Sequence, residues 1–201
     1  MNLSLEWAND FVDLNGIAPK EYCDRLTATG SKVEGWETLG DDIENVVVAR
    51  IISLERHPNS DHLWVCQVDV GEGALVQIVT GAQNLYAGAV VPAAKAPSRL
   101  PGGVNIKAGK LRGVESNGML CSISELGLTT HDMPGAAEDG IFILSDSGID
   151  TDKLTCGMDI RDALRMRDTV VEFEITSNRP DCLSVIGLAR ESAVSFGREF
   201  K

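Results

Sequence analysis

The stretch LWVCQVDVG, Leu63 to Gly71, sets Trp64, Cys66, Val68 and Val70 on one side and Leu63, Val65, Gln67 and Asp69 on the other. A period of two with one apolar face predicts a half-buried β-strand. It has neighbours of the same kind. NVVVARIISLERHP precedes it and ends at Pro58, which cannot continue a central ladder. ALVQIVTGA and VVPAAK follow, and GIFIL comes after a Gly/Pro-rich loop, RLPGGVNIKAGKLRG, and a helix-like SISELGL. Five short strands between about Ile43 and Leu144 predict a small closed barrel, since closure removes the edges that so many short strands would expose.

The two ends of the chain have a different texture. Ser4 can cap a helix through SLEWANDFVDL, ended by Gly16, with Leu5, Ala8, Phe11 and Val12 on one face. Pro19 opens a second helix, PKEYCDRLTATG, closed by Gly30, and KVEGWETL places Val33 and Trp36 in a core. After Gly157, MDIRDALRM reads as a short helix and TVVEFEIT as a strand with Val171, Phe173 and Ile175 on one face. A final helix follows SNRPD, capped by Asp181 or Ser177–Asn178, with Leu183, Ile186, Ala189 and Val194 expected inward. Neither end alone is long enough to bury a core. The simplest architecture makes residues 1–38 and 151–201 one discontinuous α+β domain, with 39–150 inserted in it.

Charge is distributed unevenly. The chain carries −12 in total, which argues against a general nucleic-acid coat. Residues 1–72 hold 14 acids and 5 bases, and residues 115–201 hold 16 acids and 8 bases. Residues 73–114 hold five bases and no acid: Lys95, Arg99, Lys107, Lys110 and Arg112. No apolar run reaches the roughly 18 residues needed to span a bilayer. The N-terminus lacks a cationic region ahead of an apolar one, so a secretory signal is not expected. Five cysteines, none in a CxxC pair, predict neither a disulfide framework nor a zinc ribbon and suit a reducing cytoplasm.

Motif chemistry narrows the reading further. His57, Asp61 and His62 in HPNSDH form a conceivable metal set, but the spacing matches no standard one. A turn reading is simpler, with Pro58 stopping a strand and Asn59 and Asp61 bonding their own backbone. Cys121, in Met-Leu-Cys-Ser, reads as a core hydrophobe. GxxxxGK[ST] and GxGxxG are both absent, so no autonomous nucleotide site is expected. In SNRPDCL, Arg179 and Asp181 can pair with each other, or the helix start can meet an anion; the structural role is favoured. KLRGVESNGMLCS is the most informative stretch. Gly113 and Gly118 permit a sharp loop that projects Lys110 and Arg112, while Met119, Leu120 and Cys121 anchor it. RNA phosphates are the natural partners of such a loop.

HPNSDHLWVCQVDVG, IVTGAQN, GKLRGVESNGMLCSISELG and ITSNRPDCLSVIGLARE, in this order and spacing, resemble the N-terminal region of the bacterial phenylalanyl-tRNA synthetase beta chain. The barrel motifs alone also resemble stand-alone tRNA-binding proteins; MNLSLEWANDFV and ITSNRPDCL select the beta chain. The resemblance implies a tRNA-binding OB-fold β-barrel at about 39–150, inserted into a small discontinuous α+β domain. It implies an α2β2 enzyme, with an alpha subunit as partner, that uses ATP and Mg²⁺ to charge phenylalanine-accepting tRNA in the cytoplasm. It places no catalytic residue, cofactor or metal within these 201 residues. Lys107, Lys110 and Arg112 are the expected tRNA phosphate contacts, with Lys95 and Arg99 secondary. His62 stands where the family more often has Lys, which weakens any phosphate contact there. The competing expectations are a scaffold for subunits or for an editing module, and a free-standing tRNA-binding module.

Overall fold

The computed structural model describes residues 1–201. The first elements are β1 (Asn2–Ser4), α1 (Leu5–Ala8), α2 (Pro19–Ala28) and β2 (Val33–Thr38). Then come β3 (Glu44–Arg56), β4 (Trp64–Asp69), β5 (Leu75–Thr80), β6 (Val90–Leu100), β7 (Val104–Ile106), β8 (Gly109–Leu111), β9 (Val114–Ser116) and β10 (Gly118–Leu120). The chain closes with α3 (Ile160–Ala163), β11 (Thr169–Phe173) and α4 (Val185–Phe196). Residues 40–166 form one compact unit, and residues 1–39 with 167–201 form another.

The middle unit is built on an antiparallel path β10–β6–β3–β4–β5, with β7 added to β6 and β8–β9 as a separate two-stranded ribbon. Alternation dictates which faces turn inward: Cys66, Val68 and Val70 are fully buried, against Ile51, Ile78 and Val91. The sheet curls until its two ends meet. Asn117 N, just ahead of β10, donates to Gln77 O on β5 at 2.9 Å, and Val79 N on β5 donates to Ser116 Oγ at 3.0 Å.

Three expectations change in this unit. GIFIL is buried from Ile141 to Leu144 but joins no ladder. The Asn84 side chain takes the place of a neighbouring strand, its Nδ2 donating to Ile141 O (2.8 Å) and its Oδ1 accepting from Ile141 N (3.0 Å). Phe142 N completes the substitution by donating to Cys121 O. The segment 151–166, assigned above to the outer domain, belongs to the middle unit instead. Ile160, Leu164 and Met166 bury themselves in the cluster around Val48, Leu100 and Phe142, and Gly157 N donates to Val48 O at 2.8 Å. SISELGL forms one 3-10 turn, Ser124–Leu126, with Glu125 Oε2 accepting from Ser122 N and Oγ.

The outer unit pairs β1 and β2 on either side of β11, with Leu3 opposite Val171. Helices α2 and α4 share its core, where Tyr22 stacks on Phe196 and its hydroxyl meets Ser192 Oγ at 2.7 Å. The first helix stops at Ala8, well short of Gly16, because Asn9 Oδ1 accepts from Leu14 N and turns the chain. Trp36 is 45% exposed on strand β2. The face of α4 also differs from expectation. Leu183, just ahead of the helix, and Ile186 and Val194 on it point to solvent, Val194 at 81% exposure, while Ala189 is buried as expected, together with Leu188, Ser192, Ala193 and Ser195. Its cap is Ser184, whose Oγ accepts from Gly187 N. Close approach explains the departure, since a Cβ at Gly187 would lie 1.8 Å from Asp181 O. The packed face is therefore made mostly of small residues, with Leu188 among them.

Two outcomes are expected. Gly187→Ala forces the Asp181 turn off the helix and costs about 1–3 kcal/mol, read by urea denaturation. Burial pushes the Tyr22 phenol up to about 12 from an ordinary value of 10.0. The folded state thus favours the neutral phenol. The stability this gives is complete below pH 10 and is lost as pH rises from 10 toward 12. Tyr22→Phe should flatten that part of the alkaline unfolding profile, measured by circular dichroism against pH.

Candidate nucleic-acid interface

The five cations of the acid-free stretch are separated by the fold into two groups. Lys95 and Arg99 lie on β6, and strand register brings acids from earlier in the chain to them. Lys95 Nζ is 2.6 Å from Glu72 Oε1, and Arg99 Nη2 is 2.5 Å from Glu44 Oε1. Glu44 is Arg99's own cross-strand partner. Both charges are locally neutralised, which a count along the sequence could not show.

Lys107, Lys110 and Arg112 sit on the β7–β9 arm and are exposed. Lys107 has no carboxylate within ion-pair distance. Lys110 faces Glu115 across the ribbon at 3.5 Å, with both side chains largely in water, so the pair holds little energy. Arg112 Nη1 donates to a backbone oxygen, Asn59 O, at 3.4 Å and keeps its charge uncompensated.

The ribbon tip has a specific geometry. Leu111 pairs with Val114, leaving a two-residue loop of Arg112 and Gly113. Their φ angles are 45° and 91°. Two successive positive φ values mark a type I′ turn, whose twist suits a hairpin and whose usual first residue is Asn, Asp or Gly. An arginine there carries backbone strain of about 1–2 kcal/mol. Such an outlier, at an exposed and uncompensated cation, points to function.

The tip is clamped from the β3–β4 turn. His57 is buried, its Nδ1 accepts from Asn59 N at 3.0 Å, and its Nε2 reaches Leu111 O at 3.0 Å. An amide can only donate and a carbonyl can only accept, so the ring carries its proton on Nε2. Asn59 Nδ2 adds a long contact to Arg112 O. Both imidazole nitrogens are thus used by backbone, and His57 does not assemble with Asp61 and His62 as a metal set. On the adjoining strands Arg56 lies over the Trp64 ring, 3.8 Å from its centroid. Sequence reasoning missed the clamp. HPN announced a turn, and nothing local pointed to a partner 54 residues away.

Elsewhere, Asp181, Cys182 and Glu191 converge as metal ligands would, but Arg179 fills their centre. Its Nη2 lies 2.9 Å from Asp181 Oδ2 and 2.7 Å from Glu191 Oε1. That guanidinium holds the Asp181 carboxyl down to about 2, and burial pushes the Cys182 thiol up to about 11. Burial likewise pushes Cys121 up to about 12, the behaviour of a core thiol.

Residues 46–141 match the family model described as "Putative tRNA binding domain". Over 201 aligned residues the chain is 48% identical to the phenylalanine–tRNA ligase beta subunit of Clostridium tetani and 46% identical to that of Clostridium acetobutylicum. It is 44% identical to that of Geobacillus kaustophilus over 202. Each alignment covers 100% of this chain and 24% of the relative. The chain belongs to the phenylalanine–tRNA ligase beta subunit family. It spans about a quarter of the length of those relatives, at their N-terminal end. Likeness to the beta subunits runs through both units, whereas the tRNA-binding model covers the curled sheet alone. The ribbon and the His57 clamp fall inside that narrower match.

Strain at the tip has a direct test. Arg112→Asn suits the I′ turn better and should stabilise the protein by about 1 kcal/mol in urea denaturation. A loss of stability would show that the arginine side chain, rather than its charge in solution, supports the fold.

Proposed function

We propose that this chain is the non-catalytic, tRNA-binding region at the N-terminal end of a phenylalanine–tRNA ligase beta subunit. In this reading the curled sheet is an OB-type barrel set into a discontinuous α+β domain. The whole enzyme joins phenylalanine to its tRNA with ATP and Mg²⁺ as an α2β2 assembly with an alpha subunit in the cytoplasm. The residues present do not fit either cofactor. Phosphate-binding glycine loops are absent, and the one convergent carboxylate group is filled by Arg179. Catalysis is therefore assigned outside these residues.

The observation that carries the tRNA reading is the clamped ribbon. It holds Arg112 in a strained turn and presents it beside Lys110 and Lys107 without a neutralising acid on Arg112 or Lys107. Phosphate contacts of this kind position RNA without reading its sequence. Lys95 and Arg99, each held by a glutamate, contribute little. A second reading, a scaffold with little RNA contact, is favoured by the exposed Leu183, just ahead of α4, with Ile186 and Val194 on it, and by the charge of −12.

Binding of phenylalanine-accepting tRNA to the 201-residue chain across a salt series separates the two. The expected result is a steep fall of affinity with salt. In Lys107→Glu/Lys110→Glu/Arg112→Glu the slope of log K against log salt should flatten by roughly 0.9 for each phosphate that the protein no longer neutralises. Charge reversal at Lys95 and Arg99 should leave the slope nearly unchanged. No binding at low salt would favour the scaffold.

A further inference from the structure

The curled sheet has a cleft of about 510 Å³ at the seam where β5 and β10 end the hydrogen-bonded path. The Asn117–Gln77 and Val79–Ser116 bonds stitch this seam. Beside the stitches, Val79 and Thr80 line one wall and Met119 and Leu120 another, with Ile141 also lining the cleft. Leu111 of the ribbon lines it too and remains 41% exposed. Glu125 is the one ionisable side chain along the lining. Its Oε2 is held by Ser122 N at 2.6 Å and Ser122 Oγ at 2.9 Å, so the carboxylate is fixed in place.

We propose that this cleft receives one unpaired nucleobase of a bound RNA, with adjacent phosphates on Lys110 and Arg112 and a base amino group on the Glu125 carboxylate. The proposal rests on the tRNA-binding reading and deepens it.

Four features support it together. The volume falls within the roughly 300–1,000 Å³ of small-ligand sites. The lining is mostly apolar, with the Thr80, Ser116 and Ser122 hydroxyls and one fixed carboxylate, which matches a base: flat apolar faces and a polar edge. Successive strand residues point to opposite faces, so Lys110 and Leu111 divide one ribbon into a cationic side and an apolar side. A nucleotide has the same division, phosphate on one side and base on the other. Finally, the His57–Leu111 bond and the type I′ turn hold the ribbon in advance, so little ordering is left for the moment of binding. Protein recognition of RNA sequence relies largely on such splayed, unstacked bases. A carboxylate acceptor suits an exocyclic amino group, as on cytosine, and not the carbonyl of uracil.

The test uses fluorescence anisotropy of the 201-residue chain with three single-stranded RNAs of about six nucleotides, a length within one barrel's span. They are oligocytidylate, oligouridylate and an abasic strand of equal charge. Oligocytidylate should bind about tenfold more tightly than the abasic strand at low salt. Leu111→Ser, an exposed and uncharged change, should remove most of that difference and leave the abasic affinity intact. Glu125→Gln should bring oligocytidylate down to the level of oligouridylate. Equal binding of oligocytidylate and the abasic strand would overturn the cleft proposal and leave phosphate binding standing. So would an equal loss for both strands in Leu111→Ser. No binding of any strand at low salt by folded protein would overturn both readings.

Discussion

His57 sits in a turn that ends one strand and begins the next, yet its reach is not local. With Nδ1 accepting from Asn59 and Nε2 donating to Leu111, one imidazole joins the β3–β4 turn to a ribbon more than fifty residues further on. No other strand joins the ribbon's ladder, although Gln77 Nε2 and Val79 N of β5 reach Glu115 O and Ser116 Oγ on β9. A two-stranded ribbon alone is marginal in water. Its own two-residue turn sets its register, and its position beside the β5–β10 seam is held by the His57 contact and by the Ser116 bonds at its base. The side chains proposed to meet RNA are therefore presented by a rigid element rather than by a free loop.

Electrostatics follow from the same topology. Linear charge counting shows a basic island between two acidic stretches. Antiparallel pairing of β3 with β6 then lays Glu44 beside Arg99, and the β4–β5 turn brings Glu72 to Lys95. The part of the island inside the sheet is cancelled. The part carried out on the arm keeps its charge because few elements border it. An acidic protein can present a cationic feature in this way, since charges separated by more than a Debye length of about 8–10 Å are screened from one another.

The curled sheet was legible because alternation is a local property. Cys66, Val68 and Val70 had to share a face whatever the rest of the chain did. Legibility ended where side chains took over backbone work. Asn84 satisfies Ile141 in place of a strand, and no periodicity records that. Hydrophobicity also misled at α4, where close packing favoured small residues around Leu188 and left Ile186 and Val194 outside. For the candidate site, residue types pointed to Lys107, Lys110 and Arg112. The clamp, the cleft and the neutralisation of Lys95 and Arg99 depend on pairings distant in sequence.

The order in which the chain is made gives one of these pairings further meaning. Strand β1 finds its partner β11 only after some 170 residues have been synthesised, so the first helices wait without a sheet. The middle unit is complete sooner, once Gly157 has met Val48 and before β11 has been made. Once it folds, its two ends lie side by side: a Cβ at Gly40 would be 3.1 Å from Met166 O. Joining the outer segments then no longer requires closing a loop of more than a hundred flexible residues, and the entropy of that closure has already been met. The middle unit thus serves as a folded splint for the assembly of the segments that enclose it in sequence.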